Sequence, residues 1–202
     1  ATTGLMSEEG KAMTENQDNG ARKSWEVRIG GVGGQGIVLS SKLLGIAASL
    51  YDGKEAVVTQ AYGPEARGGA ARSDVVISED SVDYPFVTEA DVLAALFPEA
   101  YTKFRPMLKP GGTLIVDSAL VKVSEEDEKT AIMIPATKIA DEVGNRLTRN
   151  VVILGCLVGA TGVVSRDAMV QAIRKQMKAK IVDVNIKALD AGIEFARKSE
   201  TS

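Results

Sequence analysis

Trp25-Glu26-Val27-Arg28-Ile29, running into Gly30-Gly31-Val32-Gly33-Gly34-Gln35-Gly36 and then Ile37, decides the fold. The first five residues alternate as a strand does. Residues 37–50 read as a helix, with Ile37, Leu43, Leu44, Ala47 and Leu50 on one broad face. Strand, glycine turn and helix in that order open a βαβ unit, and residues 31–36 satisfy the G-x-G-x-x-G spacing in its expected setting. Glycines there admit positive φ, let a ligand approach the backbone, and leave the N–H groups of a helix start facing an anion.

Working outward, further strands are expected over 55–60, 74–78, 91–96, 113–116 and 131–134. Pro98 opens a helix that stops before Pro110-Gly111-Gly112, and helices follow near 137–143, over 150–160, and twice after Ser165. In the last of these, Val182, Ile186, Leu189, Ile193 and Ala196 make a continuous apolar stripe, read as core packing with a subunit contact as the alternative. The acidic stretch 124–130 reads as a solvated connection, and the basic run 174–180 as a solvated helix face. The expected architecture is α/β: three layers, an open and mostly parallel Rossmann-like sheet with helices on both faces. Residues 25–198 are expected to form a single domain and the polar residues 1–24 a mobile tail, with Met6 and Met13 as alternative native starts. There is no internal repeat.

Composition excludes much. A chain of 202 residues buries roughly 70% of its unfolded surface, so it needs no staple. A net charge of −3 argues against nucleic acid or a membrane surface, and no apolar run is long enough to span a bilayer. Histidine is absent, which removes the commonest general base and most catalytic zinc sites. Cys156 is the single cysteine; it makes no internal disulfide, supplies no cluster spacing, and suits a cytoplasmic protein. It reads as core.

Three readings of the glycine turn compete: a turn that only packs helix on strand, a nicotinamide or flavin dinucleotide site, and another phosphate-bearing ligand. A dinucleotide asks for an acidic residue at the carboxyl end of the second strand. Gln60-Ala61-Tyr62 stands there instead, while Asp52 and Glu55 lie at the other end. The second strand then leads into Gly63-Pro64-Glu65-Ala66-Arg67-Gly68-Gly69, and Arg67 and Arg72 offer guanidinium forks for phosphate. Local ion pairing with Glu65 and Asp74 is the alternative for both arginines. Tyr62 reads as packing, and Asp117 as the cap of a following turn.

Gly30 to Ile37, followed by Tyr62-Gly63-Pro64-Glu65-Ala66-Arg67-Gly68-Gly69-Ala70, resembles the gamma subunit of 2-oxoacid:ferredoxin oxidoreductases. Residues 72–78 and Asp83-Tyr84-Pro85 resemble the 2-oxoglutarate branch most closely, and Asn150-Val151-Val152-Ile153-Leu154-Gly155 is similar to a helix opening of that family, with Val151 and Ile153 as departures. The likeness spans about residues 27–196. It implies a complex that oxidatively decarboxylates 2-oxoglutarate with coenzyme A to succinyl-CoA, carbon dioxide and reduced ferredoxin. Thiamine diphosphate, magnesium and iron–sulfur clusters are implied to sit on partner subunits, so ferredoxin is met only indirectly and this chain is inactive alone. For this chain the resemblance implies a share of the coenzyme A site: Gly31, Gly33, Gly34, Gln35 and Gly36 as a backbone cradle, Arg67 and Arg72 as phosphate partners. No catalytic or metal-binding residue is expected. The alternatives are the gamma subunit of a branched-chain 2-oxoacid or pyruvate enzyme, a purely structural assembly subunit, and a dinucleotide-dependent oxidoreductase.

Overall fold

Val27 and Ile29 point one way from the central strand β1 (Ser24–Gly31) and Arg28 the other, and all three are buried, so this strand is covered on both faces. The computed structural model describes residues 24–32, 36–61 and 70–199; the expected tail, apart from Ser24, lies outside them. Beside β1 stand β2 (Glu55–Ala61), β3 (Ala71–Ser78), β4 (Ala90–Ala95), β5 (Leu108–Asp117) and β6 (Ile132–Ile134), in the order β2-β3-β1-β4-β5-β6. The pairs β1–β4, β4–β5 and β5–β6 are parallel. β3 runs against both β1 and β2. The sheet is thus mostly parallel, as expected, with one reversed strand.

Helices α1 (Ile37–Ile46), α3 (Ala136–Val143), α4 (Arg149–Thr161), α5 (Arg166–Gln176) and α6 (Ala179–Ser199) bury the larger core against Val27, Ile29, Val75, Ile77, Val92 and Ile115. On the other face, Ala100 and Phe104 of α2 (Pro98–Phe104) close over Leu93, Ala95, Leu114 and Val116. There, Val87 of the connection between β3 and β4 packs on Val76 and Ala90. Both faces carry helices, unevenly. α4 and α6 cross with their backbones in contact, through Gly155 and Gly159 on one helix and Gly192 on the other. The apolar stripe of α6 is core: Val182, Leu189, Ile193 and Ala196 are all buried.

Several expectations change. α1 does not run to residue 50. It passes at Ala47–Tyr51 into a π-turn, with the Asp52 N–H donating to the Ala47 carbonyl at 3.0 Å. The wider turn rotates the helix face, so Leu50 points to solvent rather than to the core. β5 begins five residues early, taking in Lys109-Pro110-Gly111-Gly112 as a bulge, and Lys109 there bonds both Glu26 and Asp91.

The acidic connection 124–130 is not simply solvated. Asp127 is buried, accepting from Arg105 Nε and Nη2 (2.9 and 2.6 Å to Oδ1) and from the Tyr101 hydroxyl (2.6 Å to Oδ2). The Arg105 bonds, opposed by burial, hold the Asp127 carboxyl below its ordinary value. Its stabilising contribution is therefore in place above the usual carboxylate range and fades as pH falls through the lowered value.

Arg28 forms a second buried pair. Nε donates to Asp74 Oδ1 at 2.8 Å, Nη2 to Asp74 Oδ2 at 2.9 Å, and Nη2 also to the Val87 carbonyl at 2.6 Å. Removing either partner would strand a charge inside the protein, at a cost of about 3–5 kcal/mol.

Candidate functional site

The register fixes which residues meet at the carboxyl ends of the parallel strands. Ala61 of β2 pairs with Arg72 of β3, Arg72 with Gly30 of β1, and Gly30 with Ala95 of β4. The row Ala61, Arg72, Gly30, Ala95 therefore crosses the sheet just below one rim. β1 ends there at Gly31, β2 ends there at Ala61, and β3 begins there at Ala71. The strand ends that flank both glycine-rich stretches therefore lie on the same rim, where open α/β sheets bind ligands.

Gly36 sits at φ +75° and starts α1. It has no side chain to cap the helix, so the first N–H groups of α1, beginning at Ile37, lie at the rim with their partial positive charge. A Cβ at Gly36 would stand 2.6 Å from Asn150 Nδ2, so the start of α4 is packed directly on the start of α1. Asn150 is buried and its Nδ2 donates to Ser40 Oγ at 3.4 Å. Arg149, one residue earlier, is mostly buried, with Nε 3.9 Å from Asp117 Oδ2.

Of the residues singled out from the sequence, Gly31, Gly36 and Arg72 come together at this rim; Gly33, Gly34, Gln35 and Arg67 lie outside the described residues, as does Tyr62. Arg72 is placed with a qualification. Ser73 faces α1, its hydroxyl 2.6 Å from that of Ser41, so Arg72 and Asp74 project from the opposite face of β3. Arg72 Nε lies 3.7 Å from Asp74 Oδ2, so the local ion pair is present. Both Asp74 oxygens are already held by Arg28, however, and the Arg72 side chain is 34% exposed. It borders the rim as a cation held by one long contact.

Asp117 is a cap, as the sequence suggested. It is buried and accepts from the Ala119 N–H at 3.1 Å and the Thr137 hydroxyl at 2.9 Å. Asp52 is spent at the far rim, accepting from the Ser165 N–H and hydroxyl, both at 2.6 Å, ahead of α5. Neither acid is placed to grip a ribose at the second strand's exit. Cys156 is buried in α4, and burial pushes its thiol up to about 12, so at neutral pH it is neither nucleophile nor thiolate ligand. Among the described residues no group of three or more His, Cys, Asp or Glu is placed to hold a metal, and no helix is long and apolar enough to cross a membrane.

A cleft of about 600 Å3 lies at the opposite ends of the strands, between Arg105, Lys109–Gly112, Asp127, Ile132 and Ala160. Its cations are engaged, Arg105 by Asp127 and Lys109 by Glu26 and Asp91. Asn150 and Arg149 are the rim residues that sequence reasoning did not assign. The signal was present in the Asn150 to Gly155 opening, read there only as the start of a helix.

Residues 26–195 match the model of the pyruvate ferredoxin/flavodoxin oxidoreductase family. The chain is 46% identical over 177 residues to 2-oxoglutarate synthase subunit KorC of Methanothermobacter thermautotrophicus, covering 84% of this chain and 94% of that one. Its fold matches the gamma subunit of a keto/oxoacid ferredoxin oxidoreductase from Geobacter sulfurreducens with a TM-score of 0.75 and 38% identity, over 86% of this chain and 99% of that one. It also matches about a third (32%) of a chain of the 2-oxoglutarate:ferredoxin oxidoreductase from Magnetococcus marinus, a structure with 2-oxoglutarate, coenzyme A and succinyl-CoA bound, at TM-score 0.78, 24% identity and 88% coverage of this chain. A βαβ start whose glycine-rich stretches are flanked by strand ends on one rim, with a family match along nearly the whole described chain, places this protein in the pyruvate ferredoxin/flavodoxin oxidoreductase family.

Proposed function

We propose that this chain is the gamma-type subunit of a cytoplasmic 2-oxoglutarate:ferredoxin oxidoreductase and that its strand-exit rim forms one wall of the coenzyme A site. The observation that carries the reading is the convergence of the α1 start at Gly36, the Gly31 exit and Arg72 on one rim. Coenzyme A presents a nucleotide and phosphates at one end and a thiol at the other. A helix start and a guanidinium suit the first of these. Gly31, Gly33, Gly34, Gln35 and Gly36 form the backbone side of the cradle, and Arg67 and Arg72 the cationic side.

The work of this chain is orientation. Fixing the anionic end by backbone N–H groups and arginines turns the arrival of the thiol at the acyl group into a positioned event. Thiamine diphosphate, magnesium and the clusters belong to partner chains, where decarboxylation and electron transfer occur. The inert Cys156 is consistent with that division.

Arg72→Ala tests the reading with little structural cost, since Asp74 keeps both bonds to Arg28. In the assembled enzyme the KM for coenzyme A should rise about tenfold, the loss of one charge-assisted contact, while the KM for 2-oxoglutarate stays put. Arg67→Ala should act in the same direction. A change in neither constant for both variants would leave this chain an assembly subunit only.

A further inference from the structure

Asp83-Tyr84-Pro85-Phe86 is not used by the coenzyme A rim, yet it is built with care. The chain has only four tyrosines and four phenylalanines, and here one of each stands in solvent: Tyr84 is 62% exposed and Phe86 57% exposed. Their rings meet edge to face, centroids 5.6 Å apart. Such a pair is a continuous apolar surface, unlike a lone exposed leucine, and aromatic side chains of this kind supply much of the binding energy of protein interfaces.

The segment that carries them is tied down. Val87, the next residue, is buried against Val76 and Ala90, and its carbonyl accepts from the buried Arg28, which is itself locked to Asp74. A buried ion pair is costly and gains the fold little net stability. Here it fixes the direction of a loop whose own side chains face outward. Rings held in place before binding lose little entropy on docking.

Charge selects the occupant. Asp80, Asp83 and Glu89 flank the rings in sequence and are exposed; Glu79 is paired with Lys54 at 3.0 Å, and residues 79–89 contain no lysine or arginine. A second copy of this chain docking about a two-fold axis would bring these carboxylates face to face. A different chain, with an apolar pocket bordered by lysine or arginine, meets both features.

We propose that residues 79–89 are the docking surface for a partner subunit of that chemistry, with Tyr84 and Phe86 as anchors and Arg28 as the positioning residue. This rests on the reading of the chain as one subunit of an oxidoreductase complex. The double variant Tyr84→Ser/Phe86→Ser, co-expressed with the partner subunits, tests it by dissociation of the purified complex on dilution. Both side chains are exposed, so the thermal midpoint of the full chain should be unchanged while the complex dissociates at least about 30-fold more readily, the loss expected on removing an interface hot spot. Asp83→Lys, at a solvent-exposed position, should also weaken the complex and flatten the dependence of its assembly rate on salt.

Complexes of unaltered affinity in both variants overturn the proposal. So does a double variant that loses self-association of this chain while holding its partners normally. The coenzyme A KM, measured with subunits in excess, should not move in either variant. A failure of the coenzyme A reading therefore shows in the Arg72 variant and leaves the docking result standing.

Discussion

Gly192→Ala should destabilise this protein by about 4 kcal/mol or more, at the extreme of single substitutions. A Cβ at Gly192 would stand 2.0 Å from the Val152 carbonyl oxygen and 2.7 Å from the Cys156 N, both backbone atoms of α4. No rotamer change relieves that overlap. The helices must separate, and α4 is buried continuously from Asn150 to Val158, so separation opens the main core. With a typical total stability of roughly 5–15 kcal/mol, urea denaturation should show a midpoint near zero denaturant or no folded state. Gly45→Ala in α1 is the contrast. There the new Cβ would meet only the Val58 Cγ2 methyl, at 2.7 Å. A side-chain tip can yield, and alanine favours a helix by about 1 kcal/mol over glycine, so the stability change should be small. Equal effects of the two substitutions would contradict the account of the α4–α6 crossing.

Gly36→Val should strike binding rather than the core. The position has φ +75°, where an L residue costs roughly 1–2 kcal/mol and a β-branched one more. The added Cβ also falls 2.6 Å from Asn150 Nδ2. Both penalties are relieved only by moving the start of α1, the part of the rim assigned to the anionic end of the ligand. The KM for coenzyme A should rise at least about tenfold, because displacing the cradle by a fraction of an ångström forfeits more than 1.4 kcal/mol. The KM for 2-oxoglutarate should be unchanged. In the Gly36→Ala background, Asn150→Ala should recover part of the loss by removing the overlap while the φ strain remains. Coenzyme A kinetics indifferent to Gly36→Val in a folded complex would remove α1 from the site.

The order of strands and helices was legible because residues 25–36 put a period of two beside a glycine turn, and buried parallel strands such as 91–96 and 113–116 are nearly pure apolar runs. The reversal of β3 was missed, since alternation looks the same in either direction. The clue lay in length. Nine residues, 62–70, separate β2 from β3, too few for the dozen or so that a parallel crossover needs. Asp127 was misread for a different reason: its partners Tyr101 and Arg105 are more than twenty positions away, and nothing local distinguishes a buried carboxylate from its solvated neighbours. Leu50 was placed by a 3.6-residue period that the π-turn does not keep.

The candidate site was half legible. The two turns could be read, and the sheet puts their ends on one rim. The contact of Asn150 with Gly36 joins residues more than a hundred positions apart and arises only from the packing of α4 on α1.

Hydrogen–deuterium exchange on the assembled enzyme, with and without coenzyme A, tests the central claim most directly. Protection should appear in peptides covering 30–40 and 60–74 of this chain, with Arg72→Ala reducing it at a fixed coenzyme A concentration. Protection confined to the partner subunits, with these two segments exchanging as before, would contradict it.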